Sequence, residues 1–263
     1  MALLIMEFCT ELLKFRTTKL DFVYHPMCKE INLSSIYFAD DLFILSGATS
    51  GYLRIIKHVL MKFGSRTGLK PNLDKSVCYF VGVDSEEEER LTRVLWMSVD
   101  VLPVRYLGIL LTTKLLNGHD CRGLTNYIAK KVEVWGSSNI SFAGRVTSIN
   151  TVLFDKINYW CRCVFLPVAV FSSIERMMKR FLWKGKANGK FLPKVAWKQV
   201  TMRKNEGGLG IKKIKEWNIA CMTQHLCNIC YKKKTLWIKW LNTYSLKGAC
   251  LWGQREKNTD SWA

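Results

Sequence analysis

Residues 34–47, SSIYFADDLFILSG, decide the interpretation of this chain, because two carboxylates interrupt a run of apolar residues. Ile36–Ala39 and Leu42–Leu45 have the composition of short strands, and the two residues between them, Asp40 and Asp41, would form a hairpin turn. Two-residue hairpin turns favour Asn-Gly or Asp-Gly, and adjacent carboxylates repel unless a cation lies between them. Two interpretations stay open: an exposed polar turn, or paired ligands for a hard divalent cation such as Mg²⁺.

The composition indicates a globular protein with a polyanionic partner. Of the 263 residues, 49% are hydrophobic and 12% aromatic, which excludes a disordered or low-complexity protein. The formal net charge is +19, and residues 171–263 hold most of it, with 20 Lys or Arg against 5 Asp or Glu. A solvated cationic surface is one explanation, but so strong a bias favours an anionic partner, nucleic acid or anionic membrane first.

Other features favour an intracellular protein. The ten cysteines are scattered, several among apolar neighbours, which is typical of reduced core thiols. The N-terminal apolar run lacks a preceding basic region and is interrupted by Glu7, so it is not a signal peptide. The longest apolar stretch, residues 163–171, is too short to span a bilayer and contains Pro167. We therefore expect a soluble nuclear or cytoplasmic protein without a membrane partner; its oligomeric state stays open.

The first part of the chain has the pattern of an α+β fold. A helix is predicted over residues 3–15, ahead of the hairpin, and a second amphipathic helix follows Ser50, which could cap it. Residues 77–81 indicate a buried strand, and Ser85 with Glu88 forms a capping box for a short helix.

After about Asp120 the apolar residues follow a helical period only. A Gly- and Lys-rich stretch at 184–190 predicts a loop, and a further helix begins near Glu216. The sequence therefore predicts three parts, which are residues 1–118 (α+β), 119–183 (helical) and 184–263 (basic and rich in Trp).

The hairpin is one of several short motifs that follow one another along the chain. In order they are Tyr24-His25-Pro26-x-Cys28, Phe38-Ala39-Asp40-Asp41, Gly68-Leu69-x-x-Asn72-x-x-Lys75-Ser76, Leu102-Pro103-Val104-x-Tyr106-Leu107-Gly108, Ala143-Gly144-Arg145, Phe181-Leu182-Trp183-x-Gly185 and Glu206-Gly207-Gly208-Leu209-Gly210. As a set, this series resembles the reverse transcriptase of plant LINE-type (non-LTR) retrotransposons over essentially the whole chain. The resemblance implies a partial reverse-transcriptase palm (an antiparallel sheet with helices), followed by an all-helical thumb and a basic helical tail.

The resemblance also implies a chemistry for the hairpin. Asp40 and Asp41 correspond to the F/Y-x-D-D motif of that family, which binds two Mg²⁺ ions. Such ions activate the primer 3′-hydroxyl and stabilise the charge on the leaving pyrophosphate. Lys75 corresponds to a lysine near the phosphates of the incoming nucleotide, although an ordinary turn lysine would have the same sequence. The implied partners are an RNA template, a DNA primer and dNTP.

Further residues are candidates for holding the nucleic acid. The Tyr106-Leu107-Gly108 motif resembles the primer-grip hairpin, and a plain buried strand with a glycine bulge is the alternative. In the implied thumb, Lys130, Lys131 and Arg145 are candidates for phosphate contacts, although exposed Lys and Arg are usually only solvated. The tryptophans among the lysines of the tail could stack on unpaired bases or lie in a core.

Two other motifs contain residue types that are typical of different chemistry. Cys221, His225, Cys227 and Cys230 could bind zinc, but they lie within ten residues of one predicted helix, closer than the two ligand pairs of an ordinary zinc finger. Core cysteines are therefore the favoured interpretation. The glycine turn at 206–210 lacks the Lys-Ser/Thr of a P-loop, so it is not one.

The resemblance also predicts what is missing. A polymerase of this family needs an earlier aspartate and a fingers subdomain, both upstream of the F/Y-x-D-D motif, and only 39 residues precede Asp40. We therefore expect a fragment of an RNA-directed DNA polymerase that is inactive alone. The alternative from another class is a non-catalytic, basic nucleic-acid-binding module.

Overall fold

The computed structural model describes residues 2–19, 23–112, 114–185, 192–249 and 251–253. The helices are α1 Ala2–Lys19, α2 Ser50–Thr67, α3 Ser85–Leu95, α4 Arg122–Gly136, α5 Phe142–Ser148, α6 Phe154–Cys163, α7 Val168–Lys184, α8 Trp197–Val200, α9 Ile214–Cys230 and α10 Leu236–Trp240. The strands are β1 Ser35–Phe38, β2 Asp41–Ile44, β3 Val77–Cys78, β4 Ser98–Val99, β5 Val104–Tyr106 and β6 Ile109–Leu111. Most of the loop predicted at 184–190 lies outside the described residues.

The described chain folds as two compact units. We call the first the mixed unit; it comprises the described residues up to Leu102 and those from Lys233 to Gly253. The second, the helical unit, is Pro103–Lys232. The chain therefore changes unit after Leu102 and after Lys232, whereas the sequence predicted changes of character near residues 118 and 183. The assignment of palm and thumb to these parts stays a prediction.

Local sequence explains where the helices of the mixed unit begin and end. Helix α2 passes through Gly64 and ends at Gly68, whose φ of +74° is a left-handed conformation suited to glycine. Thr49 is the N-cap residue of α2, so the predicted cap Ser50 is instead the first helical residue. Helix α3 is capped by Asp84, whose carboxylate accepts a hydrogen bond of 2.8 Å from the N–H of Glu87. The predicted Ser85 capping box was therefore one residue too late.

The strands form three separate two-stranded sheets in the described part of the chain. Strands β1 and β2 are antiparallel, as are β5 and β6, whereas β3 and β4 are parallel. The strand predicted over 77–81 is reduced to Val77–Cys78, because only these two residues pair with β4. The α+β class is confirmed, but the continuous antiparallel sheet of a palm is not present among the described residues.

The mixed unit has a small core between α2 and α3. Its buried members are Leu53, Ile56, Leu91 and Leu95.

The C-terminal segment joins the mixed unit through two long-range hydrogen bonds: Trp240 donates Nε1–H to the carbonyl of Met27 at 2.8 Å, and the N–H of Glu30 donates to the Tyr244 hydroxyl at 2.7 Å. The Tyr24-His25-Pro26-x-Cys28 motif therefore overlaps the helical turn Pro26–Ile31, which anchors the C-terminal segment.

The helical unit has one continuous apolar core formed mainly by α4, α6, α7 and α9. Its largest fully buried side chains include Trp160 and Phe181. Residues after the predicted boundary at 183 belong to the same core, since Val200, Ile211 and Ile214 are buried members of it. Among the described residues, no helix combines the length and the apolar character that crossing a membrane requires.

Candidate nucleic-acid interface

The hairpin with the Asp pair is tight, and its turn is Ala39-Asp40. Phe38 pairs with Asp41, so Asp41 begins strand β2 rather than ending the turn, and the predicted Asp40-Asp41 turn was wrong by one residue. Ala39 has a φ of +52°, a conformation that a non-glycine residue adopts at some cost. This turn places Asp40 at the tip and Asp41 directly after it, and both are exposed.

Contacts at the base of this hairpin fix its position in the mixed unit. The N–H of Leu45 donates to the Ser34 carbonyl at 2.8 Å, which extends the pairing beyond Ile44. Ile44 packs against the core cluster of α2 and α3. The other end is less covered, since Phe38 beside the turn is 62% exposed. The hairpin is therefore anchored at its base and open at its tip.

The Asp pair does not by itself form a complete magnesium site. Mg²⁺ requires about six oxygen ligands, of which proteins usually supply one or two carboxylates and substrate phosphates supply others. In the part of the chain that the structure describes, no group of three or more His, Cys, Asp or Glu side chains could hold a metal ion. Asp40 and Asp41 therefore offer two carboxylates without a third acidic partner, and the described residues do not fit a two-metal centre.

Lys75 lies on a short turn that Asn72 stabilises. The Asn72 side chain accepts hydrogen bonds from the backbone N–H groups of Asp74 (3.1 Å) and Lys75 (3.3 Å), which accounts for Asn72 in this motif but involves no part of the Lys75 side chain. Lys75 is exposed, and no hydrogen bond or ion pair among the described residues joins it to Asp40 or Asp41. Its proposed role at a nucleotide phosphate stays a prediction.

The Tyr106-Leu107-Gly108 motif forms the turn of a second hairpin, in the helical unit. Leu107 and Gly108 both have positive φ values, +51° and +81°, as in the type I′ turns that connect twisted strands. Tyr159 of α6 donates its hydroxyl to the Leu107 carbonyl at 2.9 Å and so fixes the turn to the helices. The predicted strand pair around this motif is confirmed; its contact with a primer stays a prediction.

Lysine ammonium groups lie beside tyrosine rings on the surface of α4 and α6. We call this the Lys and Tyr surface; it comprises Tyr127, Lys131, Lys156 and Tyr159. Lys130 is exposed, and the ammonium of Lys131 lies 5.8 Å from the centre of the Tyr127 ring. Lys156 lies 5.7 Å from the Tyr127 ring and 5.4 Å from the Tyr159 ring. Sequence reasoning missed Lys156, Tyr127 and Tyr159, although the spacing of Tyr127 and Lys131 by four residues places them on one helix face. This surface offers cations and aromatic rings to a polyanion.

Arg145 has an internal partner. Its Nη1 donates to the carbonyls of Phe181 (3.3 Å) and Leu182 (2.9 Å) at the C-terminal end of α7. A guanidinium is favourable there because the last helical carbonyls lack partners and carry partial negative charge. Gly185 ends the same helix with φ of +75°. The Ala143-Gly144-Arg145 and Phe181-Leu182-Trp183-x-Gly185 motifs are thus in contact, and this helix cap accounts for Arg145 without a phosphate.

Asn218 is a buried polar residue that sequence reasoning missed. Its Oδ1 accepts from the N–H of Leu166, and its Nδ2 donates to the carbonyls of Cys161 and Val164, all at 2.9 Å. The side chain thereby satisfies backbone groups where the chain leaves α6. The sequence signal that could have identified Asn218 is its place on the apolar face of α9, between Ile214 and Cys221.

The four possible zinc ligands lie on or at the end of α9 and do not form a described metal cluster. His225 Nε2 lies 2.7 Å from the carbonyl oxygen of Arg162. Burial raises the pKa of the Cys221 thiol, although nearby Arg162 partly lowers it. A raised pKa disfavours the thiolate that zinc requires. Cys221 packs against the core of the helical unit, as the interpretation as core cysteines predicts, whereas Cys227 is only partly buried and Cys230 is exposed, so that interpretation is wrong for Cys230.

Comparisons with known proteins give one partial likeness. No protein-family model matches the chain. Over 110 residues, 42% of its length, the chain is 28% identical to a protein of Arabidopsis thaliana described as a "Putative ribonuclease H protein". The chain spans about 18% of the length of this curated relative.

Proposed function

We propose that this chain is a retroelement-derived nucleic-acid-binding protein, part of a reverse transcriptase of the LINE type found in plants. The observation that carries the proposal is the ordered series of motifs, in which the Phe38-Ala39-Asp40-Asp41 motif is a tight hairpin with its carboxylates at and beside the tip. The description of the Arabidopsis relative as a putative ribonuclease H protein supports the nucleic-acid-related part of this proposal.

Charge and surface chemistry support binding as the function of the isolated chain. The excess of 20 Lys or Arg over 5 Asp or Glu in residues 171–263 suits a phosphate backbone. The alternation of Lys131 and Lys156 with Tyr127 and Tyr159 adds aromatic surface to those cations. The ligands that we propose are RNA and RNA–DNA duplex.

Catalysis by this polypeptide is not part of the proposal. Asp40 and Asp41 are exposed, and the described residues bring no third acidic side chain to them. Nucleotidyl transfer on two metal ions requires ligands that hold both ions in fixed positions. We therefore propose that residues 1–263 bind nucleic acid but do not extend a primer.

A binding assay tests the first half of the proposal. Fluorescence anisotropy with a labelled 16-base-pair RNA–DNA hybrid, repeated from 50 to 200 mM salt, should show affinity that decreases strongly with salt. Asp40→Ala should leave the affinity unchanged within about twofold, because the carboxylate contributes nothing to phosphate binding. Absence of binding at 50 mM salt would overturn the proposal.

A primer-extension assay tests the second half. With an RNA template, a DNA primer, dNTP and Mg²⁺, the wild-type protein should give no more product than Asp40→Ala. Clear incorporation by the wild type that Asp40→Ala abolishes would replace this proposal by the second candidate, an active RNA-directed DNA polymerase.

A further inference from the structure

A small open cleft lies in the helical unit between the segment after α8 and the first turns of α9. It has a volume of about 300 Å³, and its lining includes Thr201, Arg203, Lys212, Lys213, Glu216 and Trp217. We call it the 201–220 pocket. Ligand sites in proteins begin at about this volume, which suits one nucleotide or a similar group.

The glycine turn at 206–210 shapes one wall of this pocket. The N–H of Gly208 donates to the Arg203 carbonyl, and the N–H of Gly210 donates to the Met202 carbonyl, each at 3.0 Å. A Cβ atom at Gly208 would overlap the carbonyl of Met202, so only glycine permits this close approach. Close backbone packing therefore accounts for the glycine at position 208, and no phosphate-binding role is needed to explain it.

An aromatic ring, that of Trp217, also lines the pocket. The indole Nε1–H of Trp217 donates to Asn158 Oδ1 at 2.8 Å, and the ring meets Phe154 edge-on at 5.3 Å. The ammonium of Lys212 lies over the ring at 5.6 Å from its centre. Trp217 is half-buried and lines the pocket, so its orientation is fixed while part of it remains accessible.

The rim of the pocket is cationic. Arg203, Lys212 and Lys213 are exposed residues of its lining, and Glu216 is the acidic one among them. Glu206, on the neighbouring turn, accepts a hydrogen bond from the N–H of Arg203 at 3.3 Å. Three cations against one carboxylate favour an anionic ligand, and a fixed indole favours a flat one.

We propose that the 201–220 pocket binds single-stranded nucleic acid, with an unpaired base against Trp217 and the flanking phosphates at Arg203, Lys212 and Lys213. This inference rests on the proposed nucleic-acid-binding function and adds the form of nucleic acid and its site. A recess with one aromatic wall can receive a base only when that base is not already stacked and paired in a duplex. Arginine and lysine around the ring would hold the backbone without selecting a sequence.

A charge-matched pair of variants tests the site. Lys212→Ala/Lys213→Ala removes two lysines of the pocket, and Lys198→Ala/Lys215→Ala removes two exposed lysines of the same segment that do not line it. Binding of labelled (dT)12 is measured by anisotropy at fixed salt. We expect about a tenfold loss for the pocket variant and at most a threefold loss for the control. Equal losses would overturn the pocket as the site.

An abasic probe tests the role of the ring without any substitution. A (dT)12 strand in which four central bases are absent keeps its phosphates, so binding by charge alone would be unchanged. We expect about tenfold weaker binding of the abasic strand, because base–aromatic stacking contributes strongly at each base. Trp217→Leu should remove most of this difference, and circular dichroism checks that the variant is folded. Equal affinity of the wild type for both strands would refute stacking.

The outcomes separate this inference from the proposed function. If the wild type binds neither (dT)12 nor the RNA–DNA hybrid, the proposed function itself fails. If it binds both, but the pocket variant behaves like its control and the abasic strand binds normally, only the 201–220 pocket is refuted.

Discussion

The two compact units differ most in the size of their apolar cores. In the helical unit, one continuous cluster includes fully buried residues of α4, α6, α7 and α9, among them Trp160 and Phe181. In the mixed unit, the main cluster has the four buried members Leu53, Ile56, Leu91 and Leu95. Because hydrophobic stabilisation increases with the apolar area removed from water, we expect the helical unit to be the more stable one.

The candidate metal ligands and the candidate phosphate-binding residues lie on different units. The Asp pair lies on the mixed unit, next to Phe38, which remains largely exposed. The Lys and Tyr surface and the 201–220 pocket lie on the helical unit. Catalytic groups must be held to within about 0.5 Å, whereas phosphate binding tolerates much looser geometry. A large apolar core can therefore position phosphate-binding side chains on the helical unit, although the Asp pair of the mixed unit lacks a third acidic partner among the described residues.

The largest expected effects come from truncating each core. Leu124→Ala in the helical unit should lower the free energy of unfolding by about 2–5 kcal/mol, because Leu124 is fully buried. For Leu91→Ala in the mixed unit, we expect a loss of unfolding free energy at the lower end of that range, because the cluster around Leu91 has only four buried members. Urea denaturation measures the loss, and hydrogen exchange assigns it to a unit.

An exposed position on the same helix provides the control for the core variants. Val134→Ala, at a side chain 57% exposed on α4, should change the free energy of unfolding by less than about 0.5 kcal/mol. A larger loss for Leu91→Ala than for Leu124→Ala would reverse the order of stability inferred for the two units.

Asn218→Ala should give the next largest effect. It leaves the N–H of Leu166 and the carbonyls of Cys161 and Val164 without their partner in a buried place, at a total cost of about 3 kcal/mol. Asn228→Ala on the same helix removes only a hydrogen bond from Gln224 and should cost less than about 1 kcal/mol. Urea midpoints compare the two variants; similar values would mean that Asn218 does not organise the end of α6.

Alkaline pH should weaken the helical unit. Burial raises the pKa of Cys161 to about 12, and burial with the nearby Asp120 charge raises that of Cys121 to about 11, whereas an unperturbed thiol titrates near 9.0. Above pH 9 the unfolded chain therefore releases protons that the folded chain keeps. Stability that is complete below pH 9 is lost as the pH rises toward 11–12.

The double variant Cys121→Ala/Cys161→Ala isolates this contribution from other groups that titrate at high pH. Its urea midpoint should be lower than that of the wild type at pH 7 but should decrease less between pH 8.5 and 10.5. The same slope in both proteins would show that these thiols are not protected from ionisation by the fold.

The smallest expected effects come from the two hairpin turns. Ala39→Gly in the mixed unit and Leu107→Asn in the helical unit each place a residue that tolerates positive φ at a turn position that requires it. Each should raise the free energy of unfolding of its own unit by up to about 1 kcal/mol. Gly108→Ala introduces strain instead of relieving it, because Gly108 has a φ of +81°. We therefore expect this variant to unfold at a lower temperature than the wild type in thermal denaturation.

Much of the local structure could be predicted from the sequence because its causes are local. The helix after Thr49 follows from the spacing of Ile56, Val59 and Phe63, and its end follows from Gly68. The hairpin around residues 39 and 40 was predicted with an error of one residue, because periodicity locates strands better than it locates the turn residue that adopts positive φ. The strand predicted over 77–81 was too long because apolar composition does not reveal a pairing partner.

Local sequence patterns were sufficient to predict the α+β class, the hairpin with the Asp pair and the concentration of positive charge toward the C-terminus. Three features could be seen only in the folded chain: Arg145 caps α7, Asn218 satisfies three backbone groups, and Arg203, Lys213 and Trp217 line one pocket. The partners of Arg145 and Asn218 lie at least 36 positions away along the chain, so no periodic signal in the sequence links them and only packing of the helices brings them together. The pocket residues are closer in sequence, but the course of the turn between Arg203 and Lys213 is not a periodic feature either.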